Sequence, residues 1–332
     1  MRKILCIGKD KPAGGTAENM GTVTKESAEA GNTPDSRKNS LDPVVYLENI
    51  EKEIGQPLSK KEREKYLEKF WENINFTNDF IFGKVMEDTE ISGEFLKLLF
   101  PEFSTGIIKS LRLQKVSRLS YDTRGVRFDV FIEDYNNNVY DLEMQVILKH
   151  NLPKRSRLYQ SVLDQELIEK GTDYDTLKDC YIIFISPNDM FGQNRKIYTF
   201  KNACMEDKDL LLNDGVTKIF LNASGVVGEV GKGLQNFLDY VATGKASDSY
   251  TRKIENHVNE AKITGKWKVE FMMMSIREMD LKAEAREEGK IVGAVITLHN
   301  LGFDNEKIRM ELMKQYQISK EEVNKIILDN IH

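Results

Sequence analysis

A chain of 332 residues, 40% hydrophobic and 30% charged, can bury one good-sized core with appendages, and is too short for several large domains. Its net charge of −5 excludes a uniformly basic surface that grips nucleic acid through long-range field alone, so any DNA contact has to come from a local basic patch. Three widely spaced cysteines, Cys6, Cys180 and Cys204, match neither a metal pattern nor a fully paired disulfide framework, which points to a reducing cytoplasm. No apolar run approaches the roughly 18 to 20 residues of a membrane helix. The histidines, His150, His257, His299 and His332, lack ligand spacing and argue against zinc.

Residues 1–45 open with a Gly-, Ser-, Thr- and Pro-rich stretch without apolar periodicity, the composition of a disordered leader. From Leu58 a helical pattern starts, with Ser59 as N-cap and Tyr66, Leu67, Phe70 and Ile74 at helical spacing. DFIFGKVMED is a second helix, and FLKLLF ends a third against Pro101. The period then changes to two over residues 108–116, 127–133 and 139–146, which reads as a sheet. Pro153 opens a helix that runs to about Lys170, with Gly171 at its C-terminal cap. CYIIFIS, 180–186, is continuously apolar like a strand buried on both faces. Strand, hairpin, helix and buried strand imply an α/β core. After a helix at 234–243 and a short linker the chain is helical to its end. Trp267, Phe271 and Met274 mark a packing stripe there, Asp304 caps one short helix, and Ser319 with Glu322 forms a capping box for another.

The hairpin RFDVFIEDYNNNVYDLEMQV carries the chemistry. Alternation puts Phe128, Val130 and Ile132 on one face, with Tyr140, Leu142, Met144 and Val146, and leaves Asp129, Asp141, Glu143 and Gln145 on the other. A three-residue loop, Tyr135 to Asn137, sets Asp129 opposite Glu143 and Arg127 opposite Gln145. A two-residue loop would set Asp129 against Met144 and split the carboxylates across the sheet. The odd loop is the expectation, because Asn tolerates the left-handed conformation that such loops need. Opposed carboxylates repel, and a divalent cation relieves them; hard oxygens suit Mg²⁺, with Mn²⁺ or Ca²⁺ as alternatives. The competing reading is a solvated acidic sheet face. The basic run Lys149, His150, Lys154, Arg155 and Arg157 follows at once and can hold a polyanion, with Arg155 and Tyr159 on one helix face.

These residues resemble the PD-(D/E)XK nuclease superfamily, and within it the recombination-promoting nuclease (Rpn) group often labelled transposases. The matching stretches are NDFIFGKVM, RGVRFDVFIED, YDLEMQV, KRSRLYQSVLDQELIEKGTDYDTL, YIIFISPNDMFG and IYTF with KIFLNASG downstream. The resemblance runs from about Phe76 to Tyr240 and implies a restriction-endonuclease-like α/β core, a mixed central sheet flanked by helices; taken with the pattern along the chain, this gives a nuclease-like domain over residues 46–245 followed by an all-α region over 246–332. It implies that Asp129 and Glu143 hold the metal with the Met144 carbonyl, that Asp79 completes the site, and that Gln145 takes the place where lysine is usual. Glutamine can orient a water but cannot supply positive charge. Arg127 is the neighbour expected to supply it, with Arg155, Arg157 and Tyr159 toward substrate. Two functions follow as expectations: a metal-dependent DNA endonuclease linked to recombination or mobile elements, or a degenerate nuclease fold that binds DNA or protein. The helical tail offers a route to homo-oligomers, and no membrane partner is expected.

Overall fold

The computed structural model describes residues 42–101, 108–117, 126–147, 151–168 and 171–331, with the backbone alone at 114–117, 126 and 127. The expected leader, and Lys149 and His150 of the basic run, therefore lie outside the described residues, apart from the leader's last four positions.

Four helices come first: α1 (Pro43–Ile54), α2 (Lys60–Glu72), α3 (Asp79–Met86) and α4 (Thr89–Leu99). Sequence reading passed over α1, although its signals are ordinary. Asp42 accepts from the Val44 and Val45 N–H groups, Pro43 sits at the first helical turn, and Gly55 closes the helix at φ 78°. Ser59 forms a full capping box with Glu62 at the start of α2. In α3 Asn78 accepts from the Ile81 N–H, and six of its eight residues are buried, so the helix is driven into the core rather than laid on it.

The sheet has the order β1-β2-β3-β4-β6-β5, with β1 (Ile108–Ser117), β2 (Val126–Asp134), β3 (Val139–Met144), β4 (Cys180–Ser186), β5 (Ile197–Phe200) and β6 (Val216–Asn222). It is mixed: β3, β4 and β6 are parallel neighbours, while β1, β2 and β5 run antiparallel to the strands beside them. The crossover from β3 to its parallel neighbour β4 runs through α5 (Leu152–Leu167), the long connection that a parallel pair requires. α5 ends at Ile168, short of the expected Lys170 and Gly171.

Both faces of the sheet are covered. On one, Val130, Ile132, Tyr140, Leu142 and Met144 join Ile183, Ile185 and the buried residues of α1 to α4 in the larger core. On the other, Phe131, Val139, Ile182 and Phe184 pack with Tyr159, Val162 and Leu163 of α5. The picture of a solvated acidic face is therefore overturned: Asp141 and Glu143 are both 0% exposed. Phe128 also departs from simple alternation, since its ring meets Tyr159 of α5 at 5.3 Å, on the face of Phe131 rather than of Val130.

Helices α6 (Lys232–Thr243), α7 (Ser249–Thr264), α8 (Lys268–Asn300), α9 (Asn305–Tyr316) and α10 (Lys320–Asn330) complete the chain. The larger core runs straight through residue 245, because Tyr250, Ile254 and Val258 of α7 and Phe271 and Met279 of α8 belong to it. The far end of α8 instead joins α9 and α10 in a small separate core of Ile291, Val295, Ile308, Leu312, Val323 and Ile327. Asp304 and the Ser319–Glu322 box cap α9 and α10 as their sequence spacing predicts.

Candidate active site

The register of the β2–β3 hairpin fixes which residues meet. Val130 pairs with Leu142, Phe131 with Asp141 and Glu133 with Val139. The hairpin closes through Asp134 and Asn138 around Tyr135, Asn136 and Asn137, with the Asp134 N–H donating to the Asn138 carbonyl at 3.1 Å. Asn137 takes φ 65°. The loop is thus the odd-length one, and the left-handed position in it falls to an asparagine, whose short polar side chain tolerates that conformation.

The ladder stops at Val130 and Leu142, and beyond it side chains replace backbone partners. The Asp129 N–H donates to Glu143 Oε1 at 3.0 Å, and the Met144 N–H donates to Asp129 Oδ2 at 3.3 Å. Phe128 itself stays paired with Lys115 of β1 while its ring packs on the α5 face. Met144 and Gln145 stay fixed through β4, where the Gln145 N–H donates to the Ile185 carbonyl at 2.8 Å.

Arg155, one turn into α5, organises the buried side of the site. Its Nη2 donates to Glu143 Oε2 at 2.6 Å, its Nη1 to Gln145 Oε1 at 2.6 Å, and its Nε to the Tyr159 hydroxyl at 2.7 Å. The guanidinium also lies over the Tyr159 and Phe184 rings, with centroids 4.9 and 5.7 Å away. Burial, the largest single influence, would lower its pKa, but Glu143, Tyr159 and Asp129 together outweigh it and hold the guanidinium above the ordinary arginine value. Burial pushes the Glu143 carboxyl well up, Asp129 and Asp141 push it further, and Arg155 opposes them. Asp141 is raised for the same first reason, and among the described residues neither of its carboxylate oxygens has a hydrogen-bond partner.

These contacts revise several expectations. Repulsion at the hairpin is offset from within the protein, by Arg155, and not solely by a bound cation. Gln145 accepts from Arg155 and donates through Nε2 to the Ile147 carbonyl, so one N–H and one lone pair of its amide are taken up in positioning the guanidinium while the residue still lines the cleft. Tyr159 is buried, 6% exposed, and carries Arg155 rather than reaching for substrate. Arg157 is exposed and does not line the cleft, because two residues along a helix turn the side chain to nearly the opposite face. The side chain of Arg127 lies outside the described residues.

The remaining expected residues converge. Asp79, Asp129, Met144, Gln145 and Arg155 line one cleft of about 340 Å³. Asp79 reaches it because α3 lies against β2, where a Cβ built on Gly83 would stand in ordinary contact, 4.0 Å from the Asp129 carbonyl oxygen. Glu143 sits directly behind the wall. The opposite wall comes from Met274, Ser275, Glu278 and Lys282 of α8, with Asp42 and Pro43 at the start of α1. Sequence reading missed this wall. Its signal was present, since 271, 274, 275, 278 and 282 continue the helical stripe begun at Trp267, but the stripe reads as packing until the fold shows what it faces.

As a donor set, Asp129, Asp79, Glu143 and the Met144 carbonyl offer the hard oxygens that suit a divalent cation, and the unmet oxygens of Asp141 show an excess of buried carboxyl groups on this face. The fit is one of chemistry. Among the described residues no three His, Cys, Asp or Glu side chains group closely enough to form a ready metal centre, and both oxygens of Glu143 already accept protein hydrogen bonds.

Residues 72–232 match the family model described as PD-(D/E)XK nuclease family transposase. This segment, which spans the whole sheet and the helices α3 to α5, belongs to that family, and its mixed sheet flanked by helices is the α/β fold expected of it. The match supports a nuclease-type enzyme. No match was found among curated proteins or among solved structures. Among the described residues no helix is long and apolar enough to cross a membrane.

Proposed function

We propose that the chain is a divalent-metal-dependent DNA endonuclease that hydrolyses phosphodiester bonds in recombination or mobile-element processes. The observation that carries this reading is the convergence of Asp79 and Asp129 with Met144 and Gln145 on one cleft inside the segment that matches a nuclease family, with Glu143 hydrogen-bonded to Asp129 behind it. Asp129, Glu143 and the Met144 carbonyl would hold the cation, Mg²⁺ in the first instance, and Asp79 would complete the set from α3. Such a cation, when bound, polarises the phosphodiester and makes water a stronger nucleophile. The protein's own part is to orient. Arg155 fixes the Glu143 carboxylate and the Gln145 amide, and the buried Tyr159 fixes Arg155.

The test is nicking of supercoiled plasmid by the full chain in Mg²⁺, Mn²⁺ or Ca²⁺, beside Asp129→Ala and Glu143→Gln. Both variants should lose at least a hundredfold in rate while keeping the wild-type melting temperature within a few degrees. Unchanged nicking by both would sink the proposal. A second reading, a nuclease fold that binds DNA without cutting, is favoured by one observation: Glu143 and Gln145 are both held by Arg155. Calorimetry separates the two. Absence of metal binding by wild type together with retained DNA binding selects the second.

A further inference from the structure

Two cationic side chains line the cleft among the described residues, Arg155 and Lys282. Three of the five N–H donors of Arg155 are engaged by Glu143, Gln145 and Tyr159, and its charge is balanced against a fully buried carboxylate, so it adds little net positive charge to the cleft. The cleft otherwise presents Asp42, Asp79, Asp129 and Glu278, an acidic surface that repels the phosphate backbone of a nucleic acid. Gln145 supplies no positive charge either. A nuclease site of this composition needs a cation from elsewhere in the fold, and α8 brings one.

Lys282 is held in place by the helix that carries it. One turn before it, Met279 is 5% exposed in the larger core. Two residues before it, Asp280 accepts from Arg63 of α2 at 2.7 Å. Four residues after it, Arg286 pairs with Glu48 of α1 at 2.9 Å. At the near end Phe271 meets Phe80, the neighbour of Asp79, at 5.5 Å. α8 is thus bolted to α1, α2 and α3 on both sides of Lys282. The ammonium itself pairs with Glu278 at 3.2 Å, and the two side chains keep 40% and 54% exposure. A solvent-exposed pair at this helical spacing is weak, so an incoming phosphate competes for Lys282 with little opposition.

We propose that Lys282 contacts the phosphate backbone of the nucleic acid in this cleft, which makes α8 a part of the nuclease site although it lies outside the segment 72–232 that matches the family. The inference rests on the nuclease reading for the identity of the polyanion. Glu278 acts as the internal competitor for the same ammonium, so the two residues have opposite effects on binding.

The experiment uses the full chain and fluorescence anisotropy with labelled single-stranded and duplex DNA oligonucleotides in EDTA across a salt series. Lys282→Ala should weaken binding about tenfold and reduce the slope of log affinity against log salt by roughly 0.7 to 0.9. Lys282→Arg should restore both. Glu278→Gln should tighten binding. Lys290→Ala, which removes the same charge two turns further along α8 from a residue paired with Glu287, should leave the slope unchanged. Equal slopes and affinities for Lys282→Ala and Lys290→Ala overturn the proposal, as does failure of the wild type to bind either oligonucleotide. Wild-type binding without nicking in any metal removes the catalytic reading and leaves Lys282 to be judged by its slope. Nicking with an unmoved Lys282→Ala slope removes Lys282 alone.

Discussion

Glu143 is under opposing pressures. Burial and the nearby Asp129 and Asp141 raise its pKa, and Arg155 at 2.6 Å lowers it. A carboxyl whose pKa is raised stays protonated to higher pH, and the protonated form is the poorer ligand for a cation. Metal-dependent cleavage should therefore rise with pH across the range in which Glu143 ionises. Arg155→Gln removes a charge that favours ionisation, so it should shift that acid limb to higher pH and lower the rate at pH 7 by about an order of magnitude or more. The pH–rate profiles of the two proteins check this, and a limb that does not move would show that Arg155 does not govern the ionisation of Glu143. The same network explains why the individual roles were not readable from sequence. Spacing places Arg155 and Tyr159 on one helix face, but only the crossover from β3 to β4 turns that face inward, toward Glu143 instead of toward a ligand.

At the scale of elements, the hairpin was largely legible. Side-chain alternation and turn chemistry are local properties, so the strand limits, the odd loop and the meeting of Asp129 with Glu143 could be argued from residues 127–146 alone. Asn137 at φ 65° carries the turn. Asn137→Gly should be neutral or slightly stabilising, whereas Asn137→Ala should cost about 1 kcal/mol; urea melts of the two variants measure the difference. What local reasoning could not give was the environment of the second face. An acidic row at alternate positions looks solvated until a helix is known to cover it, and that depends on the long-range return of α5. The α1 helix was lost for a different reason: it follows at once on a polar leader, and its short apolar stripe of Val44, Leu47 and Ile50 was overshadowed by that composition.

Over the whole molecule, two cores share one helix. The first part of α8 belongs to the larger core, and its end belongs to the cluster with α9 and α10. Leu312 is 0% exposed in that cluster. Leu312→Ala should destabilise it by about 2 to 5 kcal/mol and release amide-exchange protection in α9 and α10, while protection in β2 to β4 and plasmid nicking stay at wild-type levels. Loss of protection in the sheet as well would show that the two cores unfold as one. The shared helix also sets where a fragment that keeps the cleft has to end. A cut at residue 232, where the family match stops, or at 245, where composition suggests a boundary, would strip Phe80 and Trp71 of their packing against Phe271 and leave the carboxylates on an open shelf. The shortest piece able to keep its cleft two-walled extends past Arg286, which makes the cleft a property of a longer stretch of chain than the family match itself.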